Sequence, residues 1–171
     1  MKLGLYHSVY WSITQMSLSH LFTKVPSSFF DTYHHWFKTF PFEQGGQLWN
    51  RLFLINRWKG YIPEGECLNK NVYNKHVLKP LTQESVYKMI IEMRRAELVH
   101  WLSILPVIVF VKAPKCIKTI NILYALLANV PIILTQRYNR PRLERYYQLD
   151  PNVFGFTKIR IVLHPVHSIE V

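Results

Sequence analysis

Two apolar segments separated by a short basic turn constrain the fold of this chain more than any other feature. The first covers 98–111, LVHWLSILPVIVFV, and the second covers 119–135. A seven-residue connection at 112–118 favours antiparallel neighbours, so we predict a helical hairpin. Both arms are shorter than the ~20 residues that cross a bilayer. Full spans and a re-entrant hairpin therefore both stay open.

The first arm is predicted to begin well before its apolar part. Thr82 can cap a helix, and Glu84 in the first turn suits the positive helix end. A helix over 83–111 would be about 43 Å long at ~1.5 Å per residue, so its first half lies outside the bilayer. Pro106 should kink this helix rather than end it, because membrane helices tolerate proline.

Residues 3–22, LGLYHSVYWSITQMSLSHLF, are predicted to form an apolar N-terminal helix that anchors the chain. The segment carries no Asp, Glu, Lys or Arg and is about long enough to span. Its position after Lys2 is also that of a signal peptide. Because no A-x-A-like site precedes Thr23, we favour an uncleaved anchor.

Residues 23–81 are predicted to form an irregular cap on the membrane surface. Proline and glycine interrupt this region, and neither a helical nor a strand period persists. Basic and aromatic side chains alternate there, in a chain of net charge +11 and 49% hydrophobic residues. Nucleic acid would suit such a surface. The flanking apolar segments make membrane lipid the better partner, and no nucleic acid is expected.

The 171 residues are thus predicted to be one mostly α integral membrane unit, with a basic segment and tail over 136–171. The 112–118 turn carries three lysines, whereas the flanks on the opposite side carry seven Lys and Arg. Because cytoplasmic flanks carry the excess of basic residues, the turn is predicted outside and the cap in the cytoplasm. A short strand is expected at 158–163. Cys67 and Cys116 then lie on opposite sides as free thiols. No ligand spacing indicates a metal.

Arg94, Glu97 and His100 are spaced by three and share one face of the predicted helix. Glu97 is predicted to bind one imidazole nitrogen of His100, which leaves the other nitrogen as a general base. The alternative to a catalytic role is that Glu97 and His100 are an interfacial pair solvated by lipid head groups. If the turn centres near residue 115, Asn129 lies level with His100. Asn129 is then either an oxyanion donor or a helix–helix hydrogen bond, and the latter is commoner.

The strongest basic cluster follows the second arm and resembles a phosphate clamp, because guanidinium groups bind phosphate oxygens at two points. Anchoring on anionic lipid would also explain its charge. It would not explain the polar side chains between the arginines, and a charged donor such as acyl-CoA is the alternative ligand. Two arginines of the first arm are predicted at the same level, Arg94 and Arg95. The cluster itself comprises Gln136, Arg137, Asn139, Arg140 and Arg142.

Three sets of residues carry a resemblance to a known family. They are RAELVHWLSILPVIVF at 95–110, INILYALLANVPIILTQRYNRPRL at 120–143, and the pairs Trp49-Asn50 and Trp58-Lys59. In these the chain resembles the glycosyl-4,4'-diaponeurosporenoate acyltransferases of the staphyloxanthin pathway. The tail beyond Leu143 departs from the family.

The resemblance implies the last step of a membrane carotenoid pathway, in which a branched fatty acyl group esterifies the glucose C6 hydroxyl of the glycosylated carotenoid. Partners would be this carotenoid, a fatty acyl donor and other enzymes of the pathway, with no cofactor. Trp49 and Trp58 would stack on the glucose or anchor at the interface. The alternative is a non-enzymatic membrane protein that positions lipid or a partner enzyme.

Overall fold

A computed structural model describes residues 2–61 and 83–146, and within those ranges the chain is helical with no strand. The mostly α prediction is confirmed there. Cys67, the predicted cap at Thr82 and the predicted strand at 158–163 lie outside the described residues. The helices are α1 (Lys2–Thr23), α2 (Ser27–Thr32), α3 (Gln47–Phe53), α4 (Ile55–Trp58), α5 (Gln83–Ile104) and α6 (Lys115–Tyr146), with 3₁₀ segments at His34–Phe37, Pro41–Gly46, Lys59–Tyr61 and Leu105–Phe110.

Three long helices form the body of the molecule. α5 and α6 pack against each other as an antiparallel pair around the 111–114 turn. α1 lies beside them and runs parallel to α6. At the turn end of the bundle Trp11 Nε1 donates to Asn121 Oδ1 at 2.8 Å, and at the other end Arg95 Nη2 donates to the Val25 carbonyl at 3.1 Å. The N-terminus therefore lies at the same end as the turn.

Pro106 changes the first arm of the pair without ending it. The α-helix predicted over 83–111 stops at Ile104, and the chain continues as a 3₁₀ helix over Leu105–Phe110. Proline has no N–H to donate to the carbonyl four residues earlier, so one hydrogen bond of the α-helical ladder is lost at Pro106. The tighter helix keeps the segment compact up to the turn.

α6 is much longer than the apolar segment that predicted it. It runs for 32 residues through Pro131 and Pro141, which corresponds to about 48 Å. The basic segment that follows 135 is therefore the last part of this helix up to Tyr146. Among the described residues, one helix is long and apolar enough to cross a membrane. It covers Lys115–Arg145 and has a mean hydropathy of 1.7 in its most apolar window.

The cap consists of short helical pieces over 27–61 that pack onto the end of the pair opposite the turn. At Gly46, whose φ is +92°, the backbone of the cap lies tightly against the backbone of α6. A Cβ at this position would lie 2.8 Å from the carbonyl oxygens of Arg137 and Tyr138. Only glycine fits both the left-handed backbone and this distance. The cap is thereby seated directly on the basic part of α6.

Two small apolar clusters hold the cap in place. Phe30 and Phe37 pack with Ile91 of α5, and Ile55 packs with Leu134 and Tyr138 of α6. Burial of side chains of this size contributes roughly 1.5–3 kcal/mol each. The region between the two clusters, where α5, α6 and the cap meet, is filled by charged side chains.

Candidate active site

His100 is held by a side chain from the opposite helix. Its Nδ1 lies 2.8 Å from Oδ1 of Asn129, and Asn129 Nδ2 donates to the Ala125 carbonyl at 2.8 Å. Because the amide nitrogen is used by that carbonyl, the amide oxygen is the acceptor and Nδ1 carries the proton. The other ring nitrogen, Nε2, keeps its lone pair. Asn129 lies at the depth of His100, as the hairpin register predicts.

The predicted hydrogen bond between Glu97 and His100 is wrong. Glu97 accepts instead from Arg137 Nη1 at 2.7 Å and from Arg140 Nη2 at 3.1 Å, and it is 2% exposed. Two guanidinium groups arriving from α6 form charge-assisted bonds, which are stronger than a bond to a neutral imidazole. Glu97 therefore positions the arginines, and Asn129 positions the imidazole.

Glu43 of the cap completes the pairing of Arg137 and was missed from the sequence. Its Oε1 accepts from Arg137 Nε at 2.7 Å and its Oε2 from Arg137 Nη2 at 2.8 Å. Trp49 Nε1 and the Phe40 backbone N–H also donate to this carboxylate, at 2.9 and 2.8 Å. One signal was available, because Asp31 and Glu43 are the only acids in the first 63 residues of a basic chain.

The ionic network continues toward α2. Arg140 Nη1 lies 3.5 Å from Glu144 Oε1, and Arg94 Nη2 lies 3.3 Å from the same oxygen. Arg94 Nη1 also donates to the Phe30 carbonyl at 3.1 Å and lies 3.7 Å from Asp31. Three guanidinium groups and four carboxylates thus meet in the interior. Such groups are tolerated in the interior because each charge is paired and hydrogen bonded.

The predicted phosphate clamp is divided by these contacts. Arg137 and Arg140 point inward and are neutralised by carboxylates, whereas Arg142 is exposed and donates to the Tyr138 hydroxyl. Arg95 pairs with Glu92 at 2.7 Å. The other predicted residues are Gln136, whose buried Oε1 has no partner, Asn139, which accepts from Lys59 at 3.3 Å, and Trp58, which donates to the Phe53 carbonyl at 2.6 Å.

An apolar cleft of about 270 Å³ opens between the cap and the helix pair, beside this network. Glu43 and Arg137 form its polar wall, so the best-paired charges of the network face the cleft. The apolar lining comes from Phe40, Phe42 and Trp49 of the cap and from Trp101, Val130, Ile133 and Leu134 of the pair. Trp101 and Val130 directly follow His100 and Asn129 in the chain, and neither His100 nor Asn129 itself lines the cleft.

The fold and the site define a helical protein with a buried ionic network beside an apolar cleft and an imidazole held by an amide within its helix pair. Residues 33–149 match the profile of the glycosyl-4,4'-diaponeurosporenoate acyltransferase family. A protein of that name from Staphylococcus haemolyticus is 54% identical over 87% of each chain. Another, from Staphylococcus aureus, is 47% identical over 86% of this chain and 90% of the relative. The chain therefore belongs to the glycosyl-4,4'-diaponeurosporenoate acyltransferase family. No solved structure matches it.

Proposed function

We propose that this chain transfers a fatty acyl group to a hydroxyl of the sugar on glycosyl-4,4'-diaponeurosporenoate. The observation that carries this proposal is the 54% identity over 87% of both chains with an acyltransferase of that name. The accepting group is the glucose C6 hydroxyl, the acyl group is branched, and the reaction is the last step of staphyloxanthin-type carotenoid synthesis. The acyl donor is an acyl-CoA.

His100 acts as the general base in this proposal. Its Nε2 takes the proton of the sugar hydroxyl, and the resulting oxygen attacks the carbonyl carbon of the acyl thioester. The tetrahedral intermediate then collapses and expels the coenzyme A thiolate. The imidazolium returns the proton to that sulfur. The products are the sugar ester and free coenzyme A, and the imidazole is regenerated for the next cycle.

Asn129 is a positioning residue for this base. The bond from His100 Nδ1 to its amide oxygen fixes the ring tautomer and the direction of Nε2. Asn129 is fully buried, and the two ends of its amide are bonded to His100 and Ala125. Arg137 is likewise bonded to two carboxylates. We therefore assign neither residue to the oxyanion, and Glu97 acts by holding Arg137 and Arg140.

The apolar cleft receives a long hydrocarbon chain of one of the substrates. Its lining combines aromatic rings from the cap with aliphatic side chains from α6, and the rings of Phe40 and Phe42 stack 5.4 Å apart. Apolar walls with a polar group at one side suit a ligand that has a hydrocarbon chain and a polar end. Trp49, bonded to Glu43, belongs to the wall of this cleft.

The protein works as an integral membrane protein with the ionic network at the cytoplasmic face. α6 crosses the bilayer, α1 accompanies it as an anchor, and the cap lies at the interface. Support comes from the turn half of the pair, where large apolar side chains face outward: Leu105, Ile108, Val109 and Leu127 are all more than half exposed. The excess of Lys and Arg at the opposite end supports the orientation.

A reconstituted reaction tests the proposal. The purified protein in nanodiscs receives the glycosylated carotenoid and an acyl-CoA, and the pigment is followed by chromatography and mass spectrometry. We expect a mass gain of one acyl group that His100→Ala abolishes and His20→Ala, at an exposed histidine of α1, does not. Pigment of unchanged mass with correctly inserted protein would instead favour the non-enzymatic role of positioning lipid or a partner enzyme.

A further inference from the structure

The cations at the cytoplasmic end of α6 fall into two groups. Arg137 and Arg140 point inward and each contacts carboxylates. Arg142 lies on the outer side of α6, and Lys59 reaches it from the 3₁₀ segment Lys59–Tyr61 of the cap. Neither has a carboxylate within salt-bridge distance among residues 2–61 and 83–146. The inner arginines are paired with carboxylates, whereas the charges of Lys59 and Arg142 have no carboxylate partner among the described residues.

Lys59 and Arg142 are held at the same aromatic ring. The Lys59 Nζ lies 5.2 Å and the Arg142 Cζ 4.6 Å from the ring centroid of Tyr138, which is 3% exposed. Arg142 Nη1 donates to the Tyr138 hydroxyl, and Lys59 Nζ donates to Asn139 Oδ1 at 3.3 Å. A buried ring and two side-chain hydrogen bonds thus fix both cations in place before any ligand arrives.

This arrangement brings two like charges together. Burial lowers the pKa of Lys59, and the charge of Arg142 lowers that pKa further. Like charges repel, and a bound anion offsets that repulsion. Phosphate suits the pair because a guanidinium fork binds two of its oxygens and an ammonium binds a third. The amide N–H groups of Asn139 are next to Lys59 and add neutral donors.

We propose that Lys59 and Arg142, with Asn139, form a binding site for the phosphate group of an organic ligand. Two ligands carry this chemistry, the acyl-CoA donor and the headgroup of an anionic phospholipid. Assignment to the donor rests on the proposed acyl transfer, whereas phosphate binding itself does not. The phosphate-binding role expected of the arginine cluster thereby moves from Arg137 and Arg140 to the outer side of α6.

Direct binding tests the site without requiring turnover. Isothermal titration calorimetry gives the Kd of coenzyme A for the full chain in phosphatidylcholine nanodiscs. We expect Lys59→Gln and Arg142→Gln each to weaken binding about tenfold, the usual consequence of losing one charge-assisted contact. Arg51→Gln removes the same charge from an exposed position of the cap and serves as the matched control, with an unchanged Kd.

A second arm identifies the source of the phosphate. Native mass spectrometry counts the phosphatidylglycerol molecules that stay bound to the protein taken from mixed nanodiscs. Weaker coenzyme A binding by both variants supports the site and assigns it to the donor. Loss of bound phosphatidylglycerol by both variants, with coenzyme A binding unchanged, supports the site and assigns it to lipid.

Two results overturn the proposal. One is equal binding of both probes by the wild type and both variants, and the other is an equal loss in Arg51→Gln, which would show a general charge effect. Arg142→Lys, which keeps the charge, should bind better than Arg142→Gln, and thermal melts exclude unfolding as the cause of any loss. If coenzyme A binds as expected but no ester forms, the proposed acyl transfer fails and the phosphate site stands.

Discussion

Glu43 and Arg137 form a two-point ion pair across the cap and α6, with Nε–Oε1 at 2.7 Å and Nη2–Oε2 at 2.8 Å. The two residues are 94 positions apart in the chain. Because the same guanidinium also binds Glu97 of α5, one arginine connects three separate parts of the fold. The Glu43–Arg137 pair therefore both forms the polar wall of the cleft and attaches the cap to α5 and α6.

Loss of this pair should destabilise the protein strongly. Glu43→Gln removes a buried charge and leaves Arg137 with one of its two carboxylates, so we expect the free energy of unfolding to fall by about 3 kcal/mol. Denaturant unfolding in detergent measures the change. Glu84→Gln is the matched control, because it breaks an exposed pair with Lys88 and should leave the unfolding midpoint nearly unchanged. Similar midpoints for both variants would contradict a structural role for Glu43.

His100→Ala should lower the rate of ester formation by about 10²–10⁴-fold, the range expected for the loss of a general base. The amount of protein in the membrane and its melting temperature should stay close to those of the wild type. Single-turnover measurements of pigment mass give the rate. A variant that keeps more than half of the wild-type rate would remove His100 from the mechanism.

Asn129→Ala should lower kcat by about 10²-fold with little change in KM, because a misdirected imidazole affects the chemical step. The double variant with His100→Ala separates positioning from structure. If Asn129 acts through His100, adding Asn129→Ala to His100→Ala should cause no further loss of activity. Multiplied losses in the double variant would show that Asn129 acts independently of the imidazole.

Gly46→Ala should release the cap from α6. The new methyl group would sit 2.8 Å from two backbone oxygens at a φ of +92°, so neither a rotamer change nor a small shift removes the clash. We expect a loss of about 3 kcal/mol in stability, together with faster proteolysis of the cap. Gly60→Ala is the control, since nothing lies within 4 Å of a Cβ there. Equal protease resistance of the two variants would count against this seating of the cap.

Tyr87 should make stability sensitive to alkaline pH. Burial, with the hydrogen bond from its hydroxyl to Asp31, raises the pKa of Tyr87 to about 12 in the folded chain from about 10. The unfolded chain therefore loses this proton first, so the Tyr87 contribution is complete below about pH 10 and is lost as the pH rises toward 12. Melting temperatures of Tyr87→Phe should decline less over this interval than those of the wild type. Tyr61→Phe, at a tyrosine 87% exposed, should follow the wild type.

The depth of His100 relative to Asn129 was predictable, because two apolar arms and a short turn fix which residues lie level. The partner of Glu97 was not. Spacing along one helix identifies the neighbour at three residues, but the stronger interactions came from α6 and are separated from Glu97 by 40 and 43 positions. Spacing along one helix cannot show whether a carboxylate will bind a charged side chain from another helix or a neutral side chain of its own helix.

The role of Glu43 depends on backbone geometry that the sequence does not display. Its carboxylate reaches Arg137 because three successive residues, Gln44, Gly45 and Gly46, adopt positive φ and bring the cap against α6. The glycine pair indicates a turn, but not the helix that this turn touches. The length of α6 was underestimated for a related reason, since prolines and arginines usually mark the end of an apolar helix.

The connection of distant segments through Arg137 has a consequence for biosynthesis. A ribosome makes Glu43 and Glu97 well before Arg137, so the nascent chain carries two acids whose cation does not yet exist. The contacts of the cap with α6 can form only after that helix has left the exit tunnel. Nascent chains arrested before residue 137 should therefore expose the cap to protease, and those extended past α6 should protect it.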